Sequence, residues 1–159
     1  MRLVCAIVTF AATLGVASSA GAADQATAAV SVSVQVSSRT SLHVSSHVLR
    51  FAVGADSGTA TDVIDFSAAA RVPAASDLVL SVEPTHGVDG PGGAADVDTG
   101  IVFSGVGEGL TAGALDPARS AVAGRWKGSG VRAGRLTFTL QASASGFYLV
   151  PVSFVLSTP

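Results

Sequence analysis

Imidazole is the group to examine first for general-base or metal chemistry, and the chain has three: His43, His47 and His86. His43 and His47 are four residues apart. In an extended chain they share a face but stand about 13 Å apart, so one metal ion joins them only if the chain folds back at Ser45-Ser46. No Glu lies between them, and the zinc-protease pattern is missing. The stretch "DGPGGAADVDTG" offers three carboxylates, Asp89, Asp96 and Asp98, with glycines that permit tight folding around a cation. Asp96-x-Asp98-x-Gly100 matches the opening of a calcium loop, but the third acid and the closing Glu are missing. Calcium takes roughly six to eight oxygen ligands, so these three are weak metal candidates and the stretch reads as a wet surface loop. No Gly-x-Ser-x-Gly elbow occurs, and "GSG" at 128–130 reads as a hairpin turn. The large amphipathic aromatics are Trp126 and Tyr148. Exposed, they suit a carbohydrate platform; the expectation is that they pack, with polar tips at the surface. The chain is therefore expected to be no enzyme and to carry no cofactor.

What positions these residues begins after a leader. Met1-Arg2 supplies a positive charge, "LVCAIVTFAATLGVA" is uncharged and apolar, and Ala20-Gly21-Ala22 forms a small-x-small cleavage site. This reads as a signal peptide over residues 1–22, with the mature protein starting at about Ala23 and exported to the periplasm, cell surface or medium. The single cysteine, Cys5, leaves with it, so the mature chain has no disulfide, thiol nucleophile or thiolate metal site. Residues 23–159 suffice for one domain standing on its core alone. Eight basic residues then face eleven acidic ones, a net of −3, so no affinity for nucleic acid is implied. No second apolar run approaches membrane length. Ten of the eleven acids lie between Asp56 and Asp116, and five basic residues lie between Arg119 and Arg135. These read as solvated faces and loops; the sharper alternative is an acidic and a basic patch.

The elements read as strands. Ala28, Val30, Val32, Val34 and Val36 alternate with Ser31, Ser33, Gln35 and Ser37, the period of a strand with one wet face. "SLHV" and "VLRFAV" form a strand pair, or one strand broken at Ser45-Ser46, with Leu49, Phe51 and Val53 on one face. Ile64, Phe66 and Ala68 alternate with Asp62 and Asp65, and Leu78, Leu80 and Val82 precede a stop at Pro84. "IVFSGVG", "AVAGRW" and "GRLTFTLQAS" are further strands, while Glu108 to Arg119 reads as loop. The closing "SGFYLVPVSFVLSTP" is apolar on both faces: Tyr148, Val150, Val152, Phe154 and Leu156 on one, Phe147, Leu149 and Val155 on the other. Pro151 lacks an N–H and is expected at a sheet edge or a bulge. Seven or eight short strands with turn signals between them predict an all-β sandwich. Ala28 to Val36 is expected to pair within its own chain, giving a monomer.

The stretches "VSSRTSLHVSSHVLRFAV", "ATDVIDFSAAARVPAASDLVLSVEP" and "AGRLTFTLQASASGFYLVPVSFVLSTP" are laid out in a way that resembles secreted bacterial pilin-like domains, closest to the spore coat U family and its cysteine-free relatives. Leu49-Arg50-Phe51 matches their short leucine-x-phenylalanine strand. Ser145-Gly146-Phe147-Tyr148 and Val150 to Leu156 match their closing turn and last strand. The spore coat U cysteines are absent, Pro151 interrupts the last strand, and "STP" replaces the usual aromatic ending. The resemblance implies an immunoglobulin-like sandwich exported by a Gram-negative-type bacterium and a structural or adhesive role at the surface. It implies as partners other copies of the chain or a surface-assembly chaperone, with a neighbour's strand completing the sandwich. The alternative is a small-ligand or carbohydrate-binding module that uses the loops at one end.

Overall fold

The computed structural model describes residues 37–91, the backbone of 93–94, and 100–159. Its strands are β1 (Arg39–Val44), β2 (Val48–Val53), β3 (Thr59–Arg71), β4 (Asp77–Pro84), β5 (Asp89–Gly90), β6 (Gly93–Ala94), β7 (Gly100–Val106), β8 (Gly113–Leu115), β9 (Ala121–Lys127), β10 (Gly130–Gln141) and β11 (Gly146–Ser157). The described residues contain no helix, and none is long and apolar enough to cross a membrane. Two antiparallel sheets form a β-sandwich. One has the order β1-β3-β10-β7-β8. The other is built around β11, which pairs with β2 over Gly146 to Pro151 and with β4 over Val152 to Ser157.

Strict alternation builds the interior. Leu136, Phe138 and Leu140 of β10 are at 0% exposure, as are Ile64 and Ala68 of β3, Leu80 and Val82 of β4, and Tyr148 and Val150 of β11. The rings of Phe103 and Phe138 meet at 5.9 Å between centroids. Each fully buried Leu, Val or Phe contributes roughly 1.5–3 kcal/mol, and no polar residue is buried among those described.

β1 and β2 do not pair with each other, and the chain bends at Ser45 and His47 between them, so the expected break at Ser45-Ser46 is a crossing from one sheet to the other. β1 pairs with β3 in the first sheet and β2 with β11 in the second. The Ser45 N–H donates to the Asp65 carbonyl, and the Asp65 N–H donates to Ser45 Oγ. Ser46 Oγ accepts from the Val48 N–H. Short hydroxyl side chains thus supply backbone partners where the chain leaves one ladder for the other.

Among the described residues the strand count is eleven rather than seven or eight. Three of the additions, β5, β6 and β8, hold two or three residues each and lie in segments whose sequence reads as loop. Their pairing is set by neighbours, not by alternation: β8 runs beside Ile101 to Phe103, and the Phe103 ring fills the space a side chain at Gly113 would need. The segment Ala28 to Val36 lies outside the described residues, as do residues 1–22.

Candidate functional site

The residues singled out for chemistry do not converge. His43 and His47 are exposed on either side of the Ser45-Ser46 crossing, and His86 is exposed between β4 and β5. Asp89 is exposed in β5, while Asp96 and Asp98 lie outside the described residues. Among the described residues no three His, Cys, Asp or Glu side chains are grouped to hold a metal ion. Ser129 sits in the β9–β10 hairpin, where its Oγ bonds both the N–H and the carbonyl of Val72. Trp126 is 6% exposed and Tyr148 0%. The Trp126 indole N–H donates to the Glu108 carbonyl at 2.6 Å, and the Tyr148 hydroxyl donates to the Ala144 carbonyl at 2.6 Å. Both are packed aromatics with satisfied tips.

The feature that does stand apart is the second half of β11. The Val152 N–H donates to the His47 carbonyl while Val152 faces Pro84 in register. β2 and β4 therefore lie on opposite edges of β11. The Thr85 N–H donates to the Pro151 carbonyl on the β4 side. Strand alternation then turns the backbone groups of Ser153 and Val155 toward β4 and those of Phe154 and Leu156 the other way. On that other edge β2 ends at Val48, opposite Pro151. Beyond it, among the described residues, no strand pairs with β11. The side chains report the same gap. Tyr148, Val150 and Val152 are 0%, 0% and 2% exposed, whereas Phe154 and Leu156, on the same inward face, are only half-buried. Leu42 of β1, in the facing sheet, is likewise half-buried. An uncovered stretch of edge carrying apolar inward side chains is a template for strand addition.

The opposite flank is closed. The Arg125 N–H donates to the Gly109 carbonyl, and the Thr111 N–H to the Ala123 carbonyl. Leu110 is thereby held against the space above Gly105, Gly124 and Gly134. The Arg50 N–H, on the edge strand β2, donates to the Asp62 carboxylate at 2.8 Å, so one edge donor is capped by a charge.

On the outer face of the first sheet, Arg135 Nε donates to Asp65 Oδ1 at 2.8 Å and Nη2 to Oδ2 at 3.4 Å. This bond, with the charge behind it, holds the Asp65 carboxyl below its ordinary range and raises the guanidinium of Arg135. The outer face of β11 is greasy, as its sequence requires: Phe147 is 80% exposed, with Leu149 and Val155 beside it on that face. Sequence patterning groups Phe154 and Leu156 with the buried residues of β11, because alternation identifies a face but says nothing about whether a neighbouring strand exists. No family model, curated protein or solved structure matches this chain.

Proposed function

We propose that this chain is an exported, non-enzymatic structural or adhesive protein of the cell surface. In this reading it is an immunoglobulin-like sandwich of the pilin type, resembling the spore coat U family, and it is completed by a strand added along the open half of β11. The carrying observation is that, among the described residues, no strand pairs with β11 on the edge at Phe154 and Leu156, whose side chains are half-buried. Two further features support it. The Tyr148 hydroxyl bonds a carbonyl four residues upstream, the habit of the tyrosine corner in Greek-key sandwiches. Trp126 is buried, which favours a structural protein over a carbohydrate platform built on exposed aromatics.

The alternating segment Ala28 to Val36 has the composition of an added strand. Hydrogen exchange on the exported protein should find the Phe154 and Leu156 amides protected. Deleting Ala23 to Ser37 should expose them, and the peptide "ATAAVSVSVQVSS" should restore protection. Chains on native gels identify a second copy as the source, and a monomer with protected amides identifies the chain itself. Edge amides that exchange freely in the full-length protein, with no response to the peptide, would falsify strand completion.

A further inference from the structure

Phe147, Leu149 and Val155 stand on the outer face of β11 at 80%, 44% and 47% exposure. Pro151 lies between them in phase, and β2 adds Ala52 opposite Phe147 and Val48 opposite Pro151. Together they make one apolar strip along the strand. An exposed apolar strip bordered by polar groups marks a contact surface.

Register sets the borders. Residues directly opposite in antiparallel strands put their side chains on the same face. Leu149 pairs with Arg50 of β2 on one side and with Asp89 of β5 on the other. Arg50 faces outward between the buried Leu49 and Phe51. Gly90 takes the inward phase of β5, since a Cβ there would meet the Tyr148 ring, so Asp89 faces outward. Ser153 pairs with Glu83 of β4, on the side of Asp89. The strip thus has a base on one flank and acids on the other. None of the three forms an ion pair among the described residues, where the one salt bridge joins Asp65 and Arg135. The Asp62 carboxylate beside β2 accepts from the Arg50 backbone N–H, not from its guanidinium.

We propose that a second copy of this chain docks on the outer face of β11, sheet against sheet, about a two-fold axis that runs along the strand. That axis carries the Arg50 flank of each copy over the Asp89 flank of the other, so both pairs form at once. An axis across the strand would set Arg50 over Arg50 and Asp89 over Asp89, which repel. An anionic lipid surface would repel Asp89 and Glu83. Sheets packed face to face lie about 10 Å apart with strands within about 30° of alignment, so Phe147 and Leu149 of the two copies meet along the axis. The strip is one strand wide, while a stable interface buries roughly 1,200–2,000 Å2. The contact is therefore weak and reversible, and it forms where copies are crowded together. In dilute solution the protomer stays folded and the strip faces water. The contact leaves the open edge of β11 free and does not rest on strand completion.

Sedimentation equilibrium of the exported protein from about 10 μM to about 1 mM is the test, and a monomer–dimer equilibrium is expected within that range. Phe147→Lys should abolish it. Asp89→Arg sets arginines against each other at both flanks and should weaken it by about tenfold or more. Arg50→Asp together with Asp89→Arg exchanges the flanks and should restore the affinity to within about threefold. All three positions are exposed, so each variant should keep the original unfolding midpoint in dilute solution, which separates lost association from lost folding. A chain that stays monomeric at about 1 mM, a dimer untouched by Phe147→Lys, or a double variant no better than Asp89→Arg alone would each overturn the proposal. So would association that survives every substitution and disappears only on deletion of Ala23 to Ser37, which is strand donation between copies and not this face.

Discussion

Gly109 occupies the left-handed region at φ +73°, and its carbonyl accepts the Arg125 N–H. A Cβ there would run into the Arg125 carbonyl oxygen and come within 2.6 Å of the Trp126 indole nitrogen. Backbone strain and contact act together, so Gly109→Ala is expected to lower stability by about 1–3 kcal/mol in urea unfolding. The Asp65–Arg135 pair behaves differently. Its folded-state carboxyl titrates below the ordinary value of 3.8, chiefly through the bond from Arg135. A depressed acid stabilises the fold above the unfolded pKa, and that contribution is lost as pH falls through the folded value. Both side chains are more than half exposed, so water screens the pair and the effect on stability is small. The sharper readout is the Asp65 side-chain titration by NMR: Arg135→Gln should move its midpoint upward, toward 3.8. At this scale much was legible. Tyr148 and Trp126 read as packed residues because an amphipathic aromatic can bury its body and still find a partner for its tip. Arg132 was not legible. Spacing puts it in phase with Leu136, Phe138 and Leu140 on the inward face of β10, but that its Nε is closed off without a partner among the described residues depends on the facing sheet, which spacing does not specify.

The strands themselves follow from alternation, and their core faces at Leu49, Phe51, Ile64, Phe66, Leu78, Leu80, Leu136 and Phe138 are where the spacing puts them. What alternation leaves out is pairing. Pro151 shows the consequence. It is not on a sheet edge, since β2 lies on one side of it and Thr85 bonds its carbonyl on the other. The irregularity is instead in the strand opposite. An N–H at position 151 would point back at Thr85, and without it the chain leaves the ladder after Thr85 and rejoins at Asp89, opposite Leu149. Pro151→Ala should therefore supply a donor to the Thr85 carbonyl. One hydrogen bond is worth about 1 ± 0.5 kcal/mol, and the added freedom of the unfolded chain removes about 0.4–1 kcal/mol. Stability is expected to change by less than about 1 kcal/mol, while the new amide at position 151 exchanges slowly. A fast-exchanging amide there would place the break elsewhere.

For the molecule as a whole, the two exposed apolar features of β11 point in different directions and make different demands. Phe147 and Val155 project from the outer face. They are single side chains over water, so lysine at both positions should change stability by no more than about 0.5 kcal/mol each. Phe154 and Leu156 belong to the interior, and their backbone groups face the open edge. Leu156→Pro removes one edge N–H and leaves the groups that Ser153 and Val155 turn toward β4 untouched. The loss of one bond and part of a half-buried leucine should cost about 1–3 kcal/mol. Hydrogen exchange separates the two demands. If a strand completes the sandwich at this edge, Leu156→Pro should release the Phe154 amide while the Ser153 and Val155 amides stay protected. The paired lysine variants should leave all three unchanged. Should the lysines instead release Phe154, with Leu156→Pro having no effect on it, the protection comes from cover over the outer face of β11 and not from a strand along its edge.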